Sequence, residues 1–166
     1  PVSMADYRAS GGWQGLEKAL AMAPEAIVEA VTDSGLRGRG GAAFPAGIKW
    51  RTALEADPEH PGNHWSGQKF IACNADEGDA GTFADRMLME GDPYCLIEGM
   101  IIAGLAVGAT RGFIYLRSEY PNAAGILDEA LRQAEAAGYL GDSVCGSGRA
   151  FHLSVRLGAG AYICGE

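Results

Sequence analysis

Paired cysteines are missing from this chain. Its four cysteines, Cys73, Cys95, Cys145 and Cys164, stand far apart, and no two form a C-x-x-C pair. That excludes a zinc knuckle or an iron–sulfur ligand set within these residues. Unpaired cysteines also fit a reducing, cytoplasmic compartment. Basic residues are few: 13 Lys and Arg against 21 Asp and Glu give a net charge of −8. Nucleic acid and anionic membrane surfaces both call for a basic face, so neither is an expected partner. No long apolar run occurs. The most apolar stretch, from Leu96 to Ala109, is interrupted by Glu98. It is too short to span a bilayer of about 30 Å, so direct membrane insertion is not expected. No basic segment followed by an apolar one opens the chain, so no signal peptide is expected. Histidine offers no catalytic pairing, because His60 and His64 share a polar loop and His152 stands alone. Ser34 lies in no G-x-S-x-G elbow, which leaves hydrolase chemistry unsupported.

What the chain does have is glycine. Its 25 glycines in 166 residues are about double the usual share of roughly 7%. Such an excess marks tight turns and close backbone approach to ligands. The length fits one domain that buries roughly 70% of its unfolded surface.

Residues 1–12 read as tag-like or disordered at first and then polar, and a first helix is expected over 13–23. A second opens at Pro24, a favoured first helical position, presents Ile27, Val28 and Val31 on one face, and stops at Gly35. A third starts near Pro45. Lys69 to Cys73 reads as a short strand. Asp92-Pro93 caps a helix that is apolar nearly all round, as a buried helix is. Phe113 to Leu116 reads as a second strand. Residues 121–137 are amphipathic, with Ala123, Ile126, Leu127, Ala130, Leu131 and Ala134 inward. Phe151, Leu153 and Val155 alternate with His152, Ser154 and Arg156, as in a strand with one open face. Strands alternating with helices predict an α/β fold with a mainly parallel sheet and helices on both faces. The expected division is 1–23 as an extension with the first helix and 24–166 as the main domain.

Three segments carry candidate chemistry. GRGGAAF, residues 38–44, lies in a stretch (35–51) with four basic residues and no acidic one. Glycines let backbone amides converge on an anion, and the next helix N-terminus adds partial positive charge. A phosphate suits it. Gly38, Gly40 and Ala43 meet a loose G-x-G-x-x-G/A pattern, but a helix precedes it where a Rossmann fingerprint needs a strand. A flexible linker is the bland alternative. NADEGDAG, residues 74–81, directly follows a predicted strand, where open α/β sheets bind ligands. Its carboxylates can accept hydrogen bonds from sugar or ribityl hydroxyls, and Asn74 can donate and accept. Asp76, Glu77 and Asp79 could instead hold a metal or form a solvated loop, but the spacing is not that of an EF-hand, and no metal is expected. GAGAYICGE, residues 158–166, is weak taken alone.

In this order, LRGRGGAAFPAGIKW, NADEGDAGTFADR and GAGAYICGE resemble the flavoprotein subunit of respiratory complex I and its relatives. Those relatives include the diaphorase subunit of NAD-linked hydrogenases and the β subunit of NAD-dependent formate dehydrogenases. The wording GDAGTFADRMLMEGDPY looks closest to the formate dehydrogenase branch. The resemblance implies a Rossmann-like domain that binds FMN and takes part in hydride transfer between NAD(H) and the flavin. It implies an iron–sulfur cluster held further along a longer chain, and other subunits of an NAD-linked dehydrogenase complex as partners. It places Gly38, Arg39, Gly40, Gly41 and Lys49 at the FMN phosphate and ribityl chain. Asn74, Asp76 and Glu77 fall at the ribityl chain and flavin ring, with Glu77 in the catalytic position. Phe44 and Asp79 fall at NAD(H), and Tyr162, Gly165 and Glu166 on the other wall of the flavin site. The family often has glycine where Ala43 stands, a glutamate at Asp79 and a proline at Ala80. A non-catalytic nucleotide-binding or assembly module is the rival reading.

Overall fold

A computed structural model describes residues 1–56, 67–79 and 81–161. Its centre is a three-stranded sheet of β1 (Phe70–Ala75), β2 (Arg111–Leu116) and β3 (His152–Leu157). The strands pair in parallel in sequence order, with Cys73 beside Ile114 and Ile114 beside Val155. Parallel neighbours need long crossovers. Here they are helical: α6 (Pro93–Val107) leads into β2, and α7 (Pro121–Ala136) joins β2 to β3. The α/β architecture expected from the alternation is therefore present. Successive right-handed crossovers in one direction bring α6 and α7 to the same face, not to the two faces expected from the sequence. On that face Gly112, Ile114 and Leu116 are buried together with Ile97, Ile101, Leu127 and Leu131. Burying each such large side chain contributes roughly 1.5–3 kcal/mol. The opposite face keeps Phe70, Phe113 and Tyr115 only partly covered, with Arg156 lying 5.6 Å from the centre of the Phe113 ring.

The helix boundaries follow their local signals. Asp92 accepts the Cys95 N–H at 3.2 Å, Pro93 fills the first turn of α6, and Gly108 closes it at φ 78°. The second predicted helix is α3 (Pro24–Asp33), and α4 (Ala46–Glu55) follows Pro45. A Cβ on Gly47 would lie 2.2 Å from Thr32 Oγ1 and 2.7 Å from Thr32 Cα, so glycine lets α4 seat directly on α3.

The first twelve residues depart from expectation. They form α1 (Met4–Ala9), and α2 (Gln14–Leu20) follows. Tyr7, Trp13, Leu16 and Ala19 are buried in the same core as the rest, so packing has no break near residue 23. The reason is Glu98, the charge that interrupts the apolar helix α6. Its carboxylate accepts from the Tyr7 hydroxyl and from the Trp13 and Leu16 amides at 2.9 and 2.8 Å. It thereby caps α2, whose own N-cap residue supplies no side-chain bond. Trp13 stacks on Tyr139 with ring centres 3.8 Å apart.

Candidate functional site

The glycine–arginine segment is a closed loop rather than a free linker. Arg37 bridges Pro45 in antiparallel fashion, Gly38 N–H donates to the Phe44 carbonyl at 2.8 Å, and Arg37 Nε donates to the Ala43 carbonyl at 2.7 Å. These bonds push residues 39–42 outward as a tip. Gly40 and Gly41 have φ outside the left-handed region, and a Cβ on either would meet nothing within 4 Å. Neither backbone angle nor internal packing requires glycine there. The free space beside them is what a closely approaching ligand would use.

The acidic segment leaves β1 at the C-terminal edge of the sheet. Asn74 accepts the Asp76 N–H at 3.1 Å and starts the turn. Asp76 and Glu77 are each only 8% exposed. Glu77 is fully engaged: Oε1 accepts the Asp85 N–H at 3.2 Å, and Oε2 accepts the Arg86 N–H at 3.3 Å and the Tyr120 hydroxyl at 3.1 Å. Those two amides belong to the first turn of α5 (Ala84–Gly91), which has no side-chain cap of its own. So Glu77 caps α5 from outside the helix, in the loop that precedes it. The Glu77 carbonyl accepts from Arg117, just beyond β2. By contrast, no hydrogen bond reaches the Asp76 carboxylate from the described residues. The Asp76 side chain lines the open cleft, where a ligand hydroxyl can donate to it.

The two segments meet. Arg39 and Gly40 line a cleft of about 570 Å³ with Asn74, Asp76, Glu77, Gly78, Asp79, Thr82, Ala84 and Asp85. Ligand clefts span about 300–1,000 Å³ and lie at this edge of open α/β sheets. One wall is cationic through Arg39, and the other carries four carboxylates. Burial, and then the neighbouring Glu77 charge, hold the Asp85 carboxyl above its ordinary range. Burial pushes the Cys73 thiol, on β1 nearby, up to about 11, with the Asp85 charge adding to the shift.

Gly38, Gly41, Phe44 and Lys49 are not among the residues that line this cleft. Phe44 is 47% exposed and Lys49 is exposed on the first turn of α4. Tyr162, Gly165 and Glu166 lie outside the described residues, as do Ala80, His60 and His64. Gly160 and Ala161, which lead into the last five residues, border Asp76 and Arg117 in a small adjoining cavity. Among the described residues no group of three or more His, Cys, Asp or Glu side chains is placed to hold a metal. Thr82, Asp85, Arg117 and Tyr120 escaped the sequence reading. Only their position after β1 or β2 points to them, since none belongs to the glycine–arginine or acidic loop.

Residues 31–166 match the family model described as the Nuo51 FMN-binding domain. The chain is 49% identical over 166 residues to the NADP-reducing hydrogenase subunit HndC of Solidesulfovibrio fructosivorans, covering all of this chain and 32% of that protein. It is 48% identical over 164 residues to the F subunit of NADH-quinone oxidoreductase from Aquifex aeolicus (strain VF5), covering 99% and 36%. A crystal structure of an NAD+-reducing [NiFe]-hydrogenase in the H2-reduced state superimposes with a TM-score of 0.74 at 44% identity, over 92% of this chain and 24% of that one. The chain thus spans about a third of the length of the curated relatives it matches.

Proposed function

The chain belongs to the Nuo51 FMN-binding domain family, and on that premise we propose that its cleft grips FMN while hydride passes between NAD(H) and the flavin in the parent protein. One observation carries the reading: the Arg39–Gly40 tip and the 74–79 loop line one cleft at the C-terminal edge of a parallel sheet.

The residues suit the cofactor. Arg39 pairs with the phosphate, and Gly40 gives it room to approach the backbone. Gly38, Gly41 and Lys49 act at the rim of the same loop. Asp76, lacking donors, accepts from ribityl hydroxyls, and Asn74 orients them. Glu77 is a positioning residue rather than a proton carrier, because its oxygens already hold the start of α5 and the Tyr120 hydroxyl. Phe44 offers an exposed ring for NAD(H) to stack on, and Asp79, on the acidic wall, acts at the nucleotide too. Tyr162, Gly165 and Glu166 complete the far wall, a reading supported by Gly160 and Ala161 bordering Asp76. When bound, FMN supplies the hydride-accepting ring and the means to release electrons singly. The protein supplies position and electrostatics.

Electrons leave through iron–sulfur centres in the remainder of the parent protein. Other subunits of an NAD-linked dehydrogenase complex take them on, and the wording around residues 78–94 favours a formate dehydrogenase. Cys73, Cys95 and Cys145, the described cysteines, are unpaired, which suits a cytoplasmic enzyme. No described helix is long and apolar enough to cross a membrane. The test uses the full-length protein. FMN fluorescence should be quenched on titration and its visible absorbance bleached by NADH. Unquenched fluorescence would favour an assembly module instead.

A further inference from the structure

Beneath the cleft, the segment after β2 touches Glu77 twice. Tyr120, 6% exposed, donates its hydroxyl to Glu77 Oε2 at 3.1 Å. Arg117 donates to the Glu77 carbonyl, and its own amide donates to the Ala75 carbonyl at 3.2 Å. The Tyr120 ring lies near two cations, with the Arg86 and Arg117 guanidinium carbons 5.4 and 5.6 Å from its centre. Arg117 is anchored in turn by Glu119 at 3.3 Å. The acidic loop, the start of α5 and the turn after β2 are therefore joined through one carboxylate. Of Glu77, Arg86, Arg117, Glu119 and Tyr120, Glu77 alone lines the cleft.

We infer that Tyr120 is a positioning residue for the flavin cleft: by fixing the Glu77 carboxylate it sets the shape of the 76–79 loop and hence the affinity for FMN. The inference rests on the flavin reading above and adds to it a buried residue that never meets the ligand. A hydrogen bond to a charged acceptor is worth more than a neutral one. The charged and titratable groups around Glu77 are Asp85 and Arg86 on α5, Arg117 and Glu119 after β2, Asp76 and Asp79 in its own loop, and Cys73 on β1.

Tyr120→Phe keeps the ring and removes only the hydroxyl. In the full-length protein at pH 7.5, we expect FMN affinity to fall roughly threefold to tenfold. On a Glu77→Gln background the same substitution should change affinity less than about twofold, because charged and neutral acceptors couple differently. Equal losses in both backgrounds would overturn the inference and leave Tyr120 a packing residue. Amide hydrogen exchange supplies a readout that needs no flavin. Tyr120→Phe should speed exchange at Asp85 and Arg86 about tenfold, and unchanged exchange would also overturn it. If the wild-type protein binds no FMN, the flavin reading falls, and the exchange result still decides whether Tyr120 positions Glu77.

Discussion

Ala43 adopts φ 45°, in the left-handed region. A Cβ disfavours that region by roughly 1–2 kcal/mol, and glycine does not suffer the penalty. The closed loop enforces the angle, because the Ala43 N–H donates to the Gly40 carbonyl while Arg37 and Gly38 hold the Ala43 and Phe44 carbonyls. Ala43→Gly should therefore stabilise the chain by about 0.5–1 kcal/mol after its own entropy cost, read as a higher midpoint in chemical denaturation. A second residue-scale prediction concerns Tyr7. Burial, and then the Glu98 carboxylate, hold its phenol well above the ordinary tyrosine range. The folded state thus keeps a proton that the unfolded state releases near pH 10. The stabilisation is complete below that pH and is lost as pH rises toward the folded value. Tyr7→Phe should be less stable at pH 8, with the gap to wild type closing above pH 10 by about 1.4 kcal/mol per pH unit. Denaturation midpoints at pH 8, 10 and 11 check this, and a constant gap would contradict it.

At the scale of elements, two helices are started by carboxylates from elsewhere. Glu98 of α6 caps α2 across 82 residues to Leu16, and Glu77 caps α5. Glu98→Ala strips the acceptor from two buried amides and a buried phenol, and should cost about 3 kcal/mol, seen as a lower thermal midpoint. Gly47→Ala would drive a methyl into the Thr32 backbone, and overpacking of that kind costs about 1–3 kcal/mol. Thr32→Ala should not rescue it, since Thr32 Cα is itself too near. The sequence signals behind these elements differ in reach. The starts of α3, α6 and α7 were legible because Pro24, Asp92-Pro93 and Pro121 signal within one turn, and Gly35, Gly108 and Gly138 mark the ends at positive φ. The turn at Asn74 was legible because it abuts a strand. Helices α1 and α5 were not. Phe83 at φ 54° is no capping residue, and Glu77, which starts α5, lies beyond its first turn; α1 is started locally by Ser3 accepting the Asp6 N–H, but its six residues are too few to show an apolar repeat. The same distance hid Arg117 and Tyr120 from the site.

At the scale of the molecule, the cleft has two walls among the described residues. The acidic wall is tied to the sheet through Glu77, Arg117 and Tyr120. The Arg39 tip is held only at its base, and Arg39 itself is exposed. The relatives are about three times longer than this chain; in a parent protein of that length, further residues that packed on the tip would pre-organise it. Pre-organisation raises affinity by lowering the ordering cost of binding. Ordering a tip held only at its base adds to that cost, and each 1.4 kcal/mol of it weakens binding about tenfold. Residues 1–166 alone should therefore fold cooperatively, because one continuous core runs from Tyr7 to Phe151, yet quench FMN fluorescence only at far higher concentration than the parent protein does. Circular dichroism melting separates the two properties. A fragment that unfolds without cooperativity would trace weak binding to the fold, and one that binds FMN as tightly as its parent would show the two walls suffice.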